Sequence, residues 1–177
     1  AFDLKTIEKK RVLQIPEARM AGTPSIYQNR IVWDSIDREE FFKYAALSSL
    51  PPPPNYDIFL LDLDTGEVNQ LTTEEHSQRS PRIYGDTVIW LDARNSGEQF
   101  PYRYDIYAYD LKTGQETRIT KDTTVEGYNQ AAIGGGIIVW TDMRHTDMEM
   151  ASHAGNDAAH NNEIYAYDLN TGEERRL

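Results

Sequence analysis

The apolar positions of this chain come in short bursts that alternate with polar ones. In Asp105-Ile-Tyr-Ala-Tyr-Asp110 the side chains have a period of two, which predicts a strand with two unlike faces. No stretch sustains a helical period. Three segments align without gaps: residues 24–33, 81–90 and 131–140, ending on Trp33, Trp90 and Trp140. Each reads as a strand, a tight turn and a second strand that closes on the tryptophan. A second set follows them: Tyr56-Asp-Ile-Phe-Leu-Leu-Asp62-Leu-Asp-Thr-Gly66, Tyr104-Asp-Ile-Tyr-Ala-Tyr-Asp110-Leu-Lys-Thr-Gly114 and Asn162-Glu-Ile-Tyr-Ala-Tyr-Asp168-Leu-Asn-Thr-Gly172. Each predicts a third strand and a hairpin turn. Glycine supplies the positive φ there, and aspartate or threonine hydrogen-bonds the turn amides. A fourth strand then ends near Leu71-Thr72, Ile119-Thr120 or Leu177.

Four short strands per repeat of roughly 50 residues is the spacing of a β-propeller blade. Phe2-Asp3-Leu4-Lys5-Thr6 aligns with Tyr109-Asp110-Leu111-Lys112-Thr113, so the chain opens on the last two strands of a blade, expected at 2–4 and 11–15. The expected fold is all-β: a partial propeller of about three and a half four-stranded blades. One propeller region spans 1–177, divided into a half blade at 1–15 and blades at 22–72, 79–120 and 129–177. A half blade cannot close a ring, so the chain is expected to be part of a longer propeller or assembly.

Trp90-Leu-Asp92-Ala-Arg94 and Trp140-Thr-Asp142-Met-Arg144, each followed by Asp/Glu-Ile-Tyr-Ala-Tyr-Asp-Leu-x-Thr-Gly, resemble the repeats of TolB-like β-propellers. The resemblance covers nearly the whole chain. It implies a propeller of a secreted, periplasmic or cell-surface protein. It also admits an enzyme, because similar blades accompany peptidase domains and occur in sugar lyases. The first repeat departs from the pattern: Asp34-Ser-Ile-Asp37-Arg38 follows Trp33, which shifts the Asp/Arg pair.

Charge narrows the partners. Eighteen Lys and Arg against 29 Asp and Glu give a net charge of −11. Such a chain repels a phosphate backbone, which argues against nucleic acid. Hydrophobic residues make up 39%, and no run approaches the ~18 apolar residues of a membrane helix, so a membrane span is not expected. With no cysteine, disulfides, thiolate metal sites and a cysteine nucleophile are excluded.

Candidate chemistry concentrates in the connections between second and third strands. These vary in length, from Trp33 to Asp57, Trp90 to Asp105 and Trp140 to Glu163, while the hairpins do not. Length variation on a fixed scaffold marks the binding face. The first connection holds Phe41, Phe42 and Tyr44 before the run Pro51–Pro54, a stiff polyproline II arm. Its aromatics either recognise a partner or cover the blade. The last holds His145, His153 and His160, three of the four histidines, with Asp142, Arg144 and Asp157 among them. Imidazole and carboxylate together can hold a divalent metal, but this spacing matches no compact motif. No tightly held transition metal and no cofactor are expected; Ca²⁺ on the acidic face is the alternative. The Asp and Arg of Trp-x-Asp-x-Arg recur once per blade, as a packing group does and a catalytic group does not. No nucleophile elbow, zinc helix or phosphate loop is present in the sequence. The expected function is that of a non-enzymatic, exported or surface-displayed module. It would bind a protein or glycan through its long-loop face. The alternative is the propeller of an enzyme with its site on that face.

Overall fold

The computed structural model describes residues 2–3, 8–9, 13–46, 54–96, 103–121, 131–142 and 163–177. They form fourteen strands and one helix. Strands β1 (Phe2–Asp3) and β2 (Glu8–Lys9) make a two-stranded ribbon. Asp3 pairs with Glu8 as Asp110 pairs with Gln115, so the ribbon keeps the register of a blade's outer hairpin. Its second strand lies nearer the turn than the expected 11–15. Residues 13–16 have instead left regular pairing, and Leu13, Ile15 and Pro16 line an apolar cavity of about 230 Å³ with Trp33 and Phe59.

Three antiparallel meanders follow. The first is β3 (Arg19–Tyr27), β4 (Arg30–Asp37), β5 (Asp57–Asp62) and β6 (Val68–Gln70). The second is β7 (Gln78–Tyr84), β8 (Thr87–Asp92), β9 (Asp105–Asp110) and β10 (Gln115–Arg118). The third is β11 (Ala131–Gly134), β12 (Ile137–Asp142), β13 (Glu163–Asp168) and β14 (Glu173–Arg176). Strand order equals chain order in each, the up-and-down topology of a propeller blade.

Period-two alternation decides which side of each sheet meets which neighbour. One apolar cluster joins Val32, Ile58 and Leu60 of the first sheet to Ile83, Val88, Trp90 and Tyr107 of the second. Another joins Ile89, Leu91, Ile106 and Ile119 of the second to Ala131, Ile138, Trp140 and Tyr165 of the third. The second and third sheets thus turn their tryptophan faces toward the preceding sheet, and the first and second turn their aliphatic faces toward the next. The tryptophans lie parallel to the paired aromatic of the third strand, with ring centroids 5.7 Å apart for Trp33–Phe59, 6.3 Å for Trp90–Tyr107 and 6.0 Å for Trp140–Tyr165.

The repeated polar residues close the blades. Asp62, Asp110 and Asp168 accept from the amides two and three residues on, at 2.8 to 3.3 Å, and so brace the hairpins. Gly66, Gly114 and Gly172 follow with φ of 74°, 71° and 72°, a conformation only glycine adopts cheaply. The Leu/Ile-Thr ending also has a cause. Leu71 and Ile119 donate their amides to the carbonyls of Ile58 and Ile106, whose own amides donate to the hydroxyls of Thr72 and Thr120 at 2.8 Å. At the third sheet's outer side Leu177 donates to Ile164 in the same way, but Ile164 is 50% exposed where Ile106 is fully buried.

One element differs from expectation. Residues expected as a loop form helix α1 (Arg38–Ala45). Asp37 caps it, accepting from the amides of Glu39 and Glu40, with acidic residues in the first turn and Lys43 in the last. It buries none of its residues, so no apolar stripe announced it in the sequence. Pro51–Pro53 of the expected polyproline arm lie outside the described residues.

Trp90, with no exposed surface, fills the first junction. Trp90→Ala is expected to destabilise the fold by roughly 3–5 kcal/mol. Urea titration checks this, with an unchanged m-value marking a pure loss of packing.

Candidate functional site

The hairpin turns share one face, and the connections from β4 to β5, β8 to β9 and β12 to β13 leave from the other. On this long-loop face each tryptophan strand ends in a polar clamp. Trp90 donates its indole N–H to Asp92 Oδ2 at 2.9 Å, and the Arg94 amide donates to Asp92 Oδ1 at 2.9 Å. The Arg94 guanidinium donates to Asp92 Oδ2 at 2.6 Å and to Glu116 at 2.8 Å, and lies 4.2 Å over the Tyr107 ring. Burial opposes the charge on Arg94, but Asp92 and Glu116 outweigh it and raise its pKa. In the third sheet Trp140 donates to the buried Asp142 at 3.2 Å. Arg144 lies outside the described residues, so the clamp is seen there only through its aspartate.

The first sheet solves the same problem with other residues. Ser35 stands where Asp92 stands, and Arg19 arrives from the neighbouring strand β3. Its guanidinium donates to the Ser35 carbonyl at 2.9 Å and to Asp57 at 3.5 Å, and covers Phe59 at 4.7 Å. The shifted Asp37 is the helix cap and no part of the clamp. Nothing in the spacing around Trp33 announced Arg19, because its partner lies across a strand pair.

Asp34 is the second residue that sequence reasoning passed over. It is nearly fully buried at the junction of two sheets. Its Oδ1 accepts from Thr23 N at 2.6 Å and its Oδ2 from Ser80 N at 2.8 Å, tying β3 to β7. Both amides sit in irregular stretches of their strands, and Ser80 has a φ of 55°. A Cβ on Gly22 would collide with Asp34 Oδ1, so glycine is required beside it. The available signal was that a carboxylate follows Trp33 where Leu91 and Thr141 follow the other tryptophans. Burial raises the Asp34 pKa, partly opposed by the Ser80 and Thr23 amides and the Arg79 charge. Burial likewise raises Asp57, opposed by Arg19.

Of the expected binding residues, Phe41, Phe42 and Tyr44 share helix α1 at the edge of this face. Phe41 and Phe42 touch edge to face, ring centroids 5.7 Å apart, and Phe42 is 57% exposed. Phe41 and Tyr44 are half-buried. The chain returning from the helix is anchored by Asn55, whose amide donates to Glu40 and whose side chain donates to the Glu74 carbonyl. Asp142 stands apart, held in its clamp. His145, His153, Asp157 and His160 lie outside the described residues. Among the described residues, no group of three or more His, Asp or Glu side chains is placed to hold a metal ion.

No protein-family model matches the sequence, and no curated protein does. Solved structures do resemble the chain. An oligogalacturonate lyase in complex with manganese superposes with a TM-score of 0.68 at 19% identity, covering 99% of this chain and 46% of its own. TolB from Acinetobacter baumannii gives 0.58 at 17%, covering 99% and 36%. A chain of the nidogen/laminin complex gives 0.56 at 16%, covering 94% and 51%. This chain is part of a β-propeller. It spans about a third to a half of these chains, and at such identities the likeness shows the fold alone. The propeller proteins it resembles include TolB, a lyase and a member of a protein complex, so the shared fold does not choose among their activities.

The Asp34 tie has a pH signature. A folded-state pKa raised above the ordinary value of 3.8 means that the folded chain holds the proton longer than the unfolded one. Stability from this group is therefore greatest below 3.8 and falls as the pH rises through the folded pKa. The difference in urea midpoint between the wild type and Asp34→Asn is expected to shrink from pH 4 toward neutrality. A pH-independent difference would mean that Asp34 titrates as in the unfolded chain.

Proposed function

We propose that the chain is a binding module of an exported or cell-surface propeller protein, and that it engages a protein or glycan through the long-loop face. The observation that carries this reading is helix α1. The helix grows from the first blade, buries none of its residues and holds Phe42 exposed beside Phe41. A large aromatic held on a short rigid element is the usual anchor of an interface, and scaffold packing gives no reason for it here. The carboxylates that the repeat places on this face support binding over catalysis. Asp92 and Asp142 are held by indole N–H groups, and Asp105 accepts from Asn95, Arg118 and Thr120. None of the three faces an open cleft as a general acid or base must.

A propeller of the same fold stands in the nidogen/laminin complex, a precedent for a protein partner on this fold, and the resemblance to TolB-like repeats supports export. Among the described residues no helix is long and apolar enough to cross a membrane. The proposal includes His145, His153 and His160, which stand between β12 and β13 in the sequence.

Phe42→Ser is expected to change stability by less than about 0.5 kcal/mol, as exposed substitutions do. Bound signals on peptide and glycan arrays probed with the labelled chain are expected to fall at least tenfold. Signals retained by the variant at full strength would remove the helix from the binding surface.

A further inference from the structure

The two junctions between complete sheets differ at their hairpin ends. At the first, Arg30 donates to Asp86 Oδ1 at 2.8 Å, and Lys112 Nζ lies 2.5 Å from Asp86 Oδ2. This three-membered ionic latch ties the first sheet to the second. Register identifies the corresponding residues at the next junction. Arg30 pairs with Asp62 as Thr87 pairs with Asp110, so Thr87 stands in the place of Arg30. Gly136 precedes β12 as Asp86 precedes β8, and Asn170 follows Asp168 by two as Lys112 follows Asp110. All three charges of the latch are replaced by neutral residues.

Where the latch would stand, a groove of about 420 Å³ opens between the second and third sheets. That lies in the range of small-molecule sites, about 300–1,000 Å³. Its polar lining comes from Thr87, Thr117, Gln115 and Asn170, hydroxyls and amides that both donate and accept. Asp110 adds a fixed carboxylate, held at its turn by the amides of Lys112 and Thr113, which lower its pKa and keep it ionised. Tyr167, Leu169 and Ile119 supply an apolar wall. Gly136, with φ of 81°, keeps the rim thin: a Cβ there would stand 3.2 Å from Asn170 Nδ2.

We propose that this groove binds one unit of a neutral glycan. A sugar ring presents hydroxyls that donate and accept on its rim and C–H groups on its faces, the same division found in the lining. Among the described residues no cation lines the groove, and Asp110 stands at its wall, so phosphate and uronate are repelled, in line with the net charge of −11. The site lies on the hairpin face, away from α1, and does not depend on the long-loop reading.

Saturation-transfer NMR of the whole chain with methyl glycosides of glucose, galactose and mannose tests the proposal, with galacturonate as the anionic control. Transfer to at least one neutral glycoside and none to galacturonate is expected. The double variant Thr87→Arg/Asn170→Asp places opposite charges on the two walls of the groove and is expected to weaken binding at least tenfold, while Phe42→Ser leaves it unchanged. In the wild type the ligand is expected to shift the amide resonances of Asp110 and Asn170, a readout that needs no variant. Absence of transfer from every neutral glycoside, or shifts confined to the long-loop face, would overturn the proposal, as would undiminished binding by a folded double variant.

Discussion

The architecture depends on one contact, a tryptophan at the end of the second strand of the second and third sheets pressed against the sheet before it. Trp90 and Trp140 are almost wholly buried, each between two sheets. An indole offers more apolar area than any other side chain, but its N–H must find an acceptor once water is gone. The aspartate two residues on, pointing to the same side of the strand, supplies it. Packing and polar satisfaction are thus solved within three residues, Trp-x-Asp, and the solution can be copied from blade to blade.

The clamp also divides the molecule. Its carboxylates, with the arginine and the stacked aromatic, are consumed in holding strand ends in place. What the repeats keep constant belongs to the scaffold, and what they vary is free for recognition. Helix α1, grown from the first of these connections with Phe42 exposed, is variation of this kind. The first sheet shows how far the solution can drift. Arg19 reaches Phe59 from a different strand and does for it what Arg94 does for Tyr107.

The junctions are alike in their apolar layers and unlike in their polar margins. Asp34 ties the first pair of sheets near the long-loop side, and Arg30, Asp86 and Lys112 tie it at the hairpin side. The second pair has Leu91, Thr87, Gly136 and Asn170 at those positions. Apolar burial is non-directional and tolerates such exchange, whereas an ionic latch either has its partners or leaves open space. The same fold therefore carries a sealed junction and a grooved one.

The strand order of the three sheets and the hairpin bracing by Asp62, Asp110 and Asp168 were legible in the sequence, whereas the second strand of the opening ribbon was expected at 11–15 and stands at Glu8–Lys9. The legible features rest on residues close along the chain, and repetition made them visible. The inter-blade role of the tryptophans was legible for the same reason. Helix α1 was hidden because an exposed helix needs no apolar stripe, and its cap at Asp37 looked like a displaced member of the clamp. Arg19, the Asp34 tie and the Thr87–Asn170 groove were decided only by tertiary structure. Their partners lie on different strands or different sheets, and whether a buried carboxylate meets an amide, or a junction holds a latch or a space, depends on distances that no local pattern along the chain encodes.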